Sequence, residues 1–118
     1  MSLIYSTKRG DNARPLVIGL SRSDGSVVNL DGKVGRFFMR RTYSDVLVID
    51  ALCVLDNDAK TGTYQFSEAE VSVVGEHRAE LEIRNADGTD PETFPGPDEL
   101  GNPQFIRVIF APDLGDAP

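Results

Sequence analysis

Glu76-His77-Arg78-Ala79-Glu80-Leu81-Glu82-Ile83-Arg84 changes character at every step. His77, Ala79, Leu81 and Ile83 fall on one side of an extended chain, and Glu76, Arg78, Glu80, Glu82 and Arg84 on the other. Successive side chains of a strand point to opposite faces. The stretch therefore predicts a strand with one face packed and one face wet.

Working outward from this strand, short β-type runs alternate with turn chemistry. Asp87-Gly88 ends it, and a Pro- and Gly-rich loop over residues 90–103 leads to a last strand over residues 105–110. Upstream, residues 67–74 are ambiguous: Ser67 and Glu70 have the spacing that caps a single helical turn. Residues 63–66 read as a short strand after a turn over residues 56–62. In residues 46–55, Leu47, Ile49, Ala51, Cys53 and Leu55 fall on one face by strict alternation. Residues 42–45 read as a hairpin loop. Before it, Phe37 and Met39 share one face of residues 34–41 while Arg36, Phe38 and Arg40 share the other. Residues 15–21 and 27–30 complete the runs, bounded by the tight turns Asp24-Gly25 and Asp31-Gly32. About seven short strands at this spacing predict an antiparallel β-sandwich or small barrel. No long helix is predicted. Residues 1–14 read as a flexible arm, residues 15–114 as one domain, and residues 115–118 as a short tail.

The 118 residues, 40% hydrophobic and 26% charged, suffice for a core without a metal or a disulfide. Cys53 is the only cysteine, which excludes an internal disulfide. A net charge of -7 repels phosphate backbones and anionic lipid at long range. Nucleic acid and membrane are therefore not expected as partners. Residues 46–55, the richest apolar stretch, are interrupted by Asp50. The start, Met1-Ser2-Leu3-Ile4-Tyr5, lacks the basic residues and long apolar run of a secretion signal, so synthesis and retention in the cytoplasm are expected.

Chemistry-bearing residues are scarce. His77 is the only imidazole and sits among apolar neighbours, so it is expected to be packed and hydrogen-bonded, not a base or ligand. Cys53 lies on an apolar face and is expected to act as a small buried hydrophobe. Asp56-Asn57-Asp58 with Gly62 approaches a calcium loop but fails on detail. Lys60 stands where an oxygen ligand belongs, the glycine comes one place late, and Ser67 stands in for the closing glutamate. A weaker cation site at Asp87 and Asp90 has nothing to select it. No catalytic residue, cofactor or metal is expected.

Two groups stand out as candidate interface. Arg36, Arg40 and Arg41 with Tyr43 suit phosphate or an acidic neighbour, or else form an ordinary exposed strand face. In the last strand Ile106, Val108 and Phe110 share one face, while Phe105 and Ile109 share the other with only Arg107 between them. A strand apolar on both faces needs cover on both sides. Where its own domain does not supply that cover, Phe105, Arg107 and Ile109 form an interface.

The order of these features resembles a known family. Asp24-Gly25-Ser26-Val27-Val28-Asn29-Leu30-Asp31-Gly32 is similar to its turn, short strand and second turn. The run ending in Phe38-Met39-Arg40, the turn Thr61-Gly62-Thr63-Tyr64, Gly75 before the alternating strand, Asp87-Gly88 and Glu92-Thr93-Phe94-Pro95 continue the pattern. The family is the immunoglobulin-like domain at the N-terminus of phage baseplate upper proteins, which also occurs as small stand-alone phage proteins. The resemblance covers most of residues 15–114. His77 stands where relatives tend to place an aromatic, and the loop over residues 96–103 is longer than in typical relatives. What the resemblance implies is an immunoglobulin-like sandwich and a non-enzymatic structural role in a tailed phage or prophage particle, in baseplate, tail or head. Its implied partners are other virion proteins and further copies of the chain, and its implied location is the virion. The alternative is a carbohydrate-binding module that holds a host-surface glycan in the loop over residues 90–103. That reading would prefer exposed tryptophan, and the chain has none. A small hydrolase is opposed by the lack of a catalytic set.

Overall fold

The computed structural model describes residues 4–8, 14–22, 24–44, 46–98 and 100–111. Within them run the strands β1 (Ile4–Lys8), β2 (Leu16–Gly19), β3 (Lys33–Arg41), β4 (Leu47–Asp56) and β5 (Thr61–Tyr64). The helical turn α1 (Glu68–Val71) and the strands β6 (Gly75–Asn85), β7 (Glu92–Phe94) and β8 (Ile106–Ala111) follow. The protein is all-β. Its strands join in the order β1-β8-β6-β3-β4-β5-β2, with β7 also pairing β6. Every pairing is antiparallel except that of β1 with β8.

The strands form one continuous mixed sheet, nearly closed into a barrel. β4 makes it continuous. Residues 47–53 pair with β3 and residues 54–56 with β5, so one strand carries the sheet around the core. At the remaining seam the Tyr5 hydroxyl donates to the Arg14 carbonyl at 2.7 Å. The Arg14 guanidinium lies 4.4 Å over the same ring.

The 76–84 alternation holds through β6, where His77, Ala79, Leu81 and Ile83 are buried. Phe37 and Met39 of β3 and Ile106, Val108 and Phe110 of β8 face the same interior. Phe66 lies at the centre of an aromatic cluster. Its ring centroid is 5.4 Å from Tyr5, 5.8 Å from Phe37, 5.1 Å from Tyr64 and 5.3 Å from Phe110. The Ser67–Glu70 spacing does form a capping box. Ser67 Oγ accepts from the Glu70 amide at 3.2 Å, and Glu70 Oε1 accepts from the Ser67 amide at 2.8 Å. Gly25, Gly32 and Gly88 take the positive φ that their Asp-Gly turns require.

Three local expectations are corrected. Residues 4–8 of the expected arm form β1, because parallel pairing with β8 satisfies their backbone and Tyr5 fills a core position. The other residues of the arm before Arg14, and residues 112–118 at the far end, lie outside the described residues. Residues 27–30 are not a strand: the Leu30 amide donates to the Asn57 side chain at 2.9 Å. The loop over residues 90–103 contains β7, which pairs with residues 81–83 of β6.

Asn57 therefore works as a staple. Its Oδ1 accepts from Leu30 and from Lys60 Nζ, and its Nδ2 donates to Asp31 at 3.0 Å. Asn57→Ala leaves the amide of buried Leu30 without that acceptor, which costs about 1–3 kcal/mol. Urea denaturation is expected to show that loss, and a change below about 0.5 kcal/mol would mean the staple is idle.

Candidate protein-binding face

The outer surface of β3, β6 and β8 brings the unusual side chains together. Register places Arg40 opposite Arg78 and Arg78 opposite Arg107, so three arginines form one row across three strands. Continuing the same row, Leu47 on β4 pairs with Arg40 and Ile4 on β1 pairs with Arg107. Both apolar ends are exposed, Leu47 by 41% and Ile4 by 54%. Like charges directly opposite one another oppose sheet pairing. Carboxylates must therefore offset the row locally.

They do so pair by pair. Arg107 Nε donates to Glu76 at 2.6 Å, Arg36 reaches Asp50 at 3.0 Å through Nε, and Arg84 reaches Glu82 at 2.6 Å. Glu80 serves both Arg40 and Arg78, whose charges oppose the effect of its burial. Burial, with Glu82 adding to it, holds the Glu80 carboxyl above its usual range.

Glu80 also marks a break in the sheet. One edge of β6 carries β8 along residues 75–79 and β7 along residues 81–83, so neither strand pairs Glu80. The loop between β7 and β8 leaves the sheet here and returns at Phe105. The Arg78 guanidinium lies 5.5 Å from the Phe105 ring centroid, within cation–π range. Phe38, opposite Glu80 on β3, completes a hollow of about 220 Å³ lined by Phe38, Arg40, Arg78, Ala79, Glu80 and Phe105. A second hollow of about 560 Å³ adjoins it, with Arg78, Phe105 and Arg107 on its wall.

Of the expected interface residues, Arg40, Phe105 and Arg107 meet in this face. Arg36 lies on the same surface, paired with Asp50. Ile109 is half-buried opposite Glu76 and Ser6. Arg41 registers with His77, not with the arginine row, and Tyr43 stands 92% exposed in the β3–β4 turn. Arg78, Phe38 and Glu80 were not singled out from sequence. Alternation placed Arg78 and Glu80 on a wet face, but which strand lies beside them is a matter of register.

The other candidates fall elsewhere. His77 is fully buried, with Nδ1 3.3 Å from the Val108 carbonyl oxygen and Nε2 buried without a hydrogen-bond partner. Cys53 is half-buried, and burial pushes its thiol up to about 11, which keeps it protonated and poorly nucleophilic at neutral pH. Asp56 accepts from the Asp58 and Ala59 amides, as a turn residue does. Asp87 is occupied in the same way by Thr89. Among the described residues, no group of three or more His, Cys, Asp or Glu is placed to hold a metal ion. Nor is any described helix long and apolar enough to cross a membrane.

What this face can do chemically is bind. Guanidinium groups offer forked donors to carboxylates, and the rings beside them supply apolar area. No protein-family model matches the chain, and no curated protein sequence matches it significantly.

Proposed function

We propose that the chain is a non-enzymatic structural component of a tailed bacteriophage or prophage particle, acting through protein–protein contacts of its outer sheet face. The observation that carries this reading is the row Arg40–Arg78–Arg107, flanked by Phe38 and Phe105 and ended by exposed Leu47 and Ile4. Arginine and aromatic residues are enriched at protein interfaces. The ordered set of turns and strands that resembles the phage immunoglobulin-like domain supplies the particle. On this reading the near-barrel is a variant of that sandwich, its two sides joined through β4, and the chain resides in the virion beside other structural proteins and further copies of itself.

The test is the particle itself. Gradient-purified particles produced with the Phe105→Ser/Ile109→Ser double variant are expected to lose the chain, while wild-type particles retain it at a fixed ratio to the other virion proteins. Phe105 is 37% exposed and Ile109 half-buried, so the isolated variant should still unfold cooperatively. Wild-type particles without the chain would overturn the proposal. Loss of folding in the isolated variant would return both residues to the core.

A second reading has one observation in its favour. The β7–β8 loop borders hollows of about 230 and 280 Å³ lined by Pro95, Gly96 and Pro97. These would be the place for a host-surface glycan. Specific binding on a glycan array, lost when Phe105 is replaced, would favour this carbohydrate-binding reading over assembly.

A further inference from the structure

A sheet that stops short of closing keeps two edges, here β1 and β2. The β1 edge is met by Arg14, whose guanidinium donates to the Ser6 carbonyl at 2.5 Å. β2 is open. The Leu20 amide donates to the Lys60 carbonyl at 2.8 Å, and Ile18 and Leu16 continue that register opposite Gly62 and Tyr64. Bonded pairs in an antiparallel ladder recur at every second residue. The backbone groups of Leu16, Ile18 and Leu20 therefore face β5, and those of Val17 and Gly19 face away. Among the described residues no strand pairs that outward side, and both residues are exposed. Edges of this kind are commonly blunted by a charge, a bulge or a proline. Leu16-Val17-Ile18-Gly19 carries none of these.

We infer that the β2 edge takes an extended, uncharged segment of a neighbouring structural protein as an added strand, held by the backbone of Val17 and Gly19. The inference rests on the assembly reading and names the kind of partner. Beyond the edge lies a hollow of about 230 Å³, with Gly19, Ser21 and Arg22 from the end of β2 and Pro95, Gly96 and Pro97 from the loop after β7. Among the described residues, nothing stands within 4 Å of where a Cβ would sit at Gly19 or Gly96. A lone strand can enter this gap. A second barrel would bring its own loop against this one, and would set two chains of net charge -7 together. The lining also selects against charge. Arg22 is engaged by both oxygens of Glu92 at 2.8 Å, and the other five residues are uncharged, so a buried charge would meet no counter-charge there. On the outer face an added strand continues the row Val17–Thr63–Val54, whose two valines are 51% and 71% exposed. A β-branched residue beside Val17 suits that row. Main-chain bonds then supply affinity, and alternate side chains the choice of partner.

The experiment titrates the full chain with a blocked peptide, Thr-Ile-Thr-Val-Thr, and follows the backbone amides by NMR. The same peptide N-methylated at every residue, and Thr-Ile-Glu-Val-Thr, are the other two arms. The parent peptide is expected to shift the Val17 and Gly19 amide signals and to slow their exchange about tenfold at saturation. The N-methylated peptide should do neither, and the glutamate peptide should bind severalfold more weakly. Val17→Pro removes one outward amide while sparing the ladder to β5, as edge prolines do, and should abolish binding. Val17→Lys, a second variant in case the first unfolds, should weaken it severalfold. Unmoved Val17 and Gly19 signals, equal binding by either control peptide, or a folded Val17→Pro that binds as before would each overturn the inference. So would protection of the two amides that rises with chain concentration alone, which would give the edge to a second copy. Particle incorporation separates the two levels. A Val17→Lys chain that enters particles as well as wild type refutes the edge contact alone, and a wild-type chain absent from particles refutes the assembly reading whatever the peptide does.

Discussion

Phe66→Ala is expected to lose about 3–5 kcal/mol of folding stability, the range for removing a buried aromatic ring from a packed core. Whole domains of this kind hold only about 5–15 kcal/mol, so the variant approaches the limit of folding at all. The size of the effect follows from position. Phe66 is 1% exposed and edge-on to Phe37, Tyr64 and Phe110, with Tyr5 tilted against it. These five rings come from β1, β3, β5, β8 and the segment just after β5, and so join parts of the chain from residue 5 to residue 110. Deleting the central ring leaves a void that four rigid neighbours cannot collapse into, so the cavity cost adds to the lost burial. Edge-to-face ring pairs contribute a further increment beyond area alone.

The check is urea denaturation with a matched outer-face control. Phe66→Ala should move the midpoint far to lower urea with an unchanged slope, as a pure stability loss does. Phe66→Leu keeps a large apolar group and should lose about half as much. Phe38→Ala, on the half-buried outer face, should cost about 1 kcal/mol or less. A Phe66→Ala loss no larger than that of Phe38→Ala would show that the aromatic cluster is not where the fold is held.

The order of those two effects was partly legible in the sequence. Alternation placed Phe37 and Met39 on one face and Phe38 on the other, and in the structure the first of these faces is the buried one. It also predicted the inward row of β6, and the Asp-Gly pairs and the Ser67–Glu70 spacing predicted turns and a cap that form. These signals are local: each depends on residues within a few positions of one another. What sequence left hidden is non-local. β1 was hidden because its partner β8 lies about a hundred residues away in the chain and pairs in parallel, without a hairpin to announce it. Residues 27–30 were misread because β-type composition cannot reveal that the Leu30 amide is taken by a side chain from another turn. The closure of the sheet depends on β4 changing partners at residue 54, which leaves no mark on its even alternation.

The arginine row belongs to the same class. Arg40 and Arg107 were visible as charges on strands, yet nothing along the chain sets Arg78 between them. Register does, and register follows from the inward packing of Phe37, Ala79 and Ile106 on the opposite side of the same strands. The candidate face is thus a by-product of how the core aligns its strands. Its chemistry is free to vary while that core stays fixed.

His77 carries the second large expectation, a fall in stability under mild acid. The imidazole is fully buried, its Nε2 has no hydrogen-bond partner, and the Phe110 ring lies 5.3 Å away. Burial holds its pKa below the ordinary value, the Val108 carbonyl opposes this modestly, and the nearby Arg41 charge adds to the lowering. The unfolded chain then binds a proton more readily than the folded one, so acid favours unfolding. Stability should be level above the ordinary imidazole value of 6.5 and decline below it, until the folded-state pKa is reached. For a single proton the slope approaches about 1.4 kcal/mol per pH unit.

The carboxylates do not imitate this signal. Asp87, Asp98 and Glu92 have lowered pKa values through hydrogen bonds, so their losses fall below the ordinary carboxylate range, near pH 4. Glu80 is raised and so works in the opposite sense, favouring the folded state as the pH falls. A decline between about pH 6.5 and 5 therefore reports His77, set against an opposite contribution from Glu80. His77→Leu fills the site with an apolar side chain of similar reach and should flatten the decline, whatever it does to stability at pH 7.5. Arg41→Gln should reduce the slope without removing it. Midpoints of urea denaturation taken from pH 7.5 to 5 decide the matter: an undiminished slope in His77→Leu would place the acid sensitivity elsewhere in the molecule.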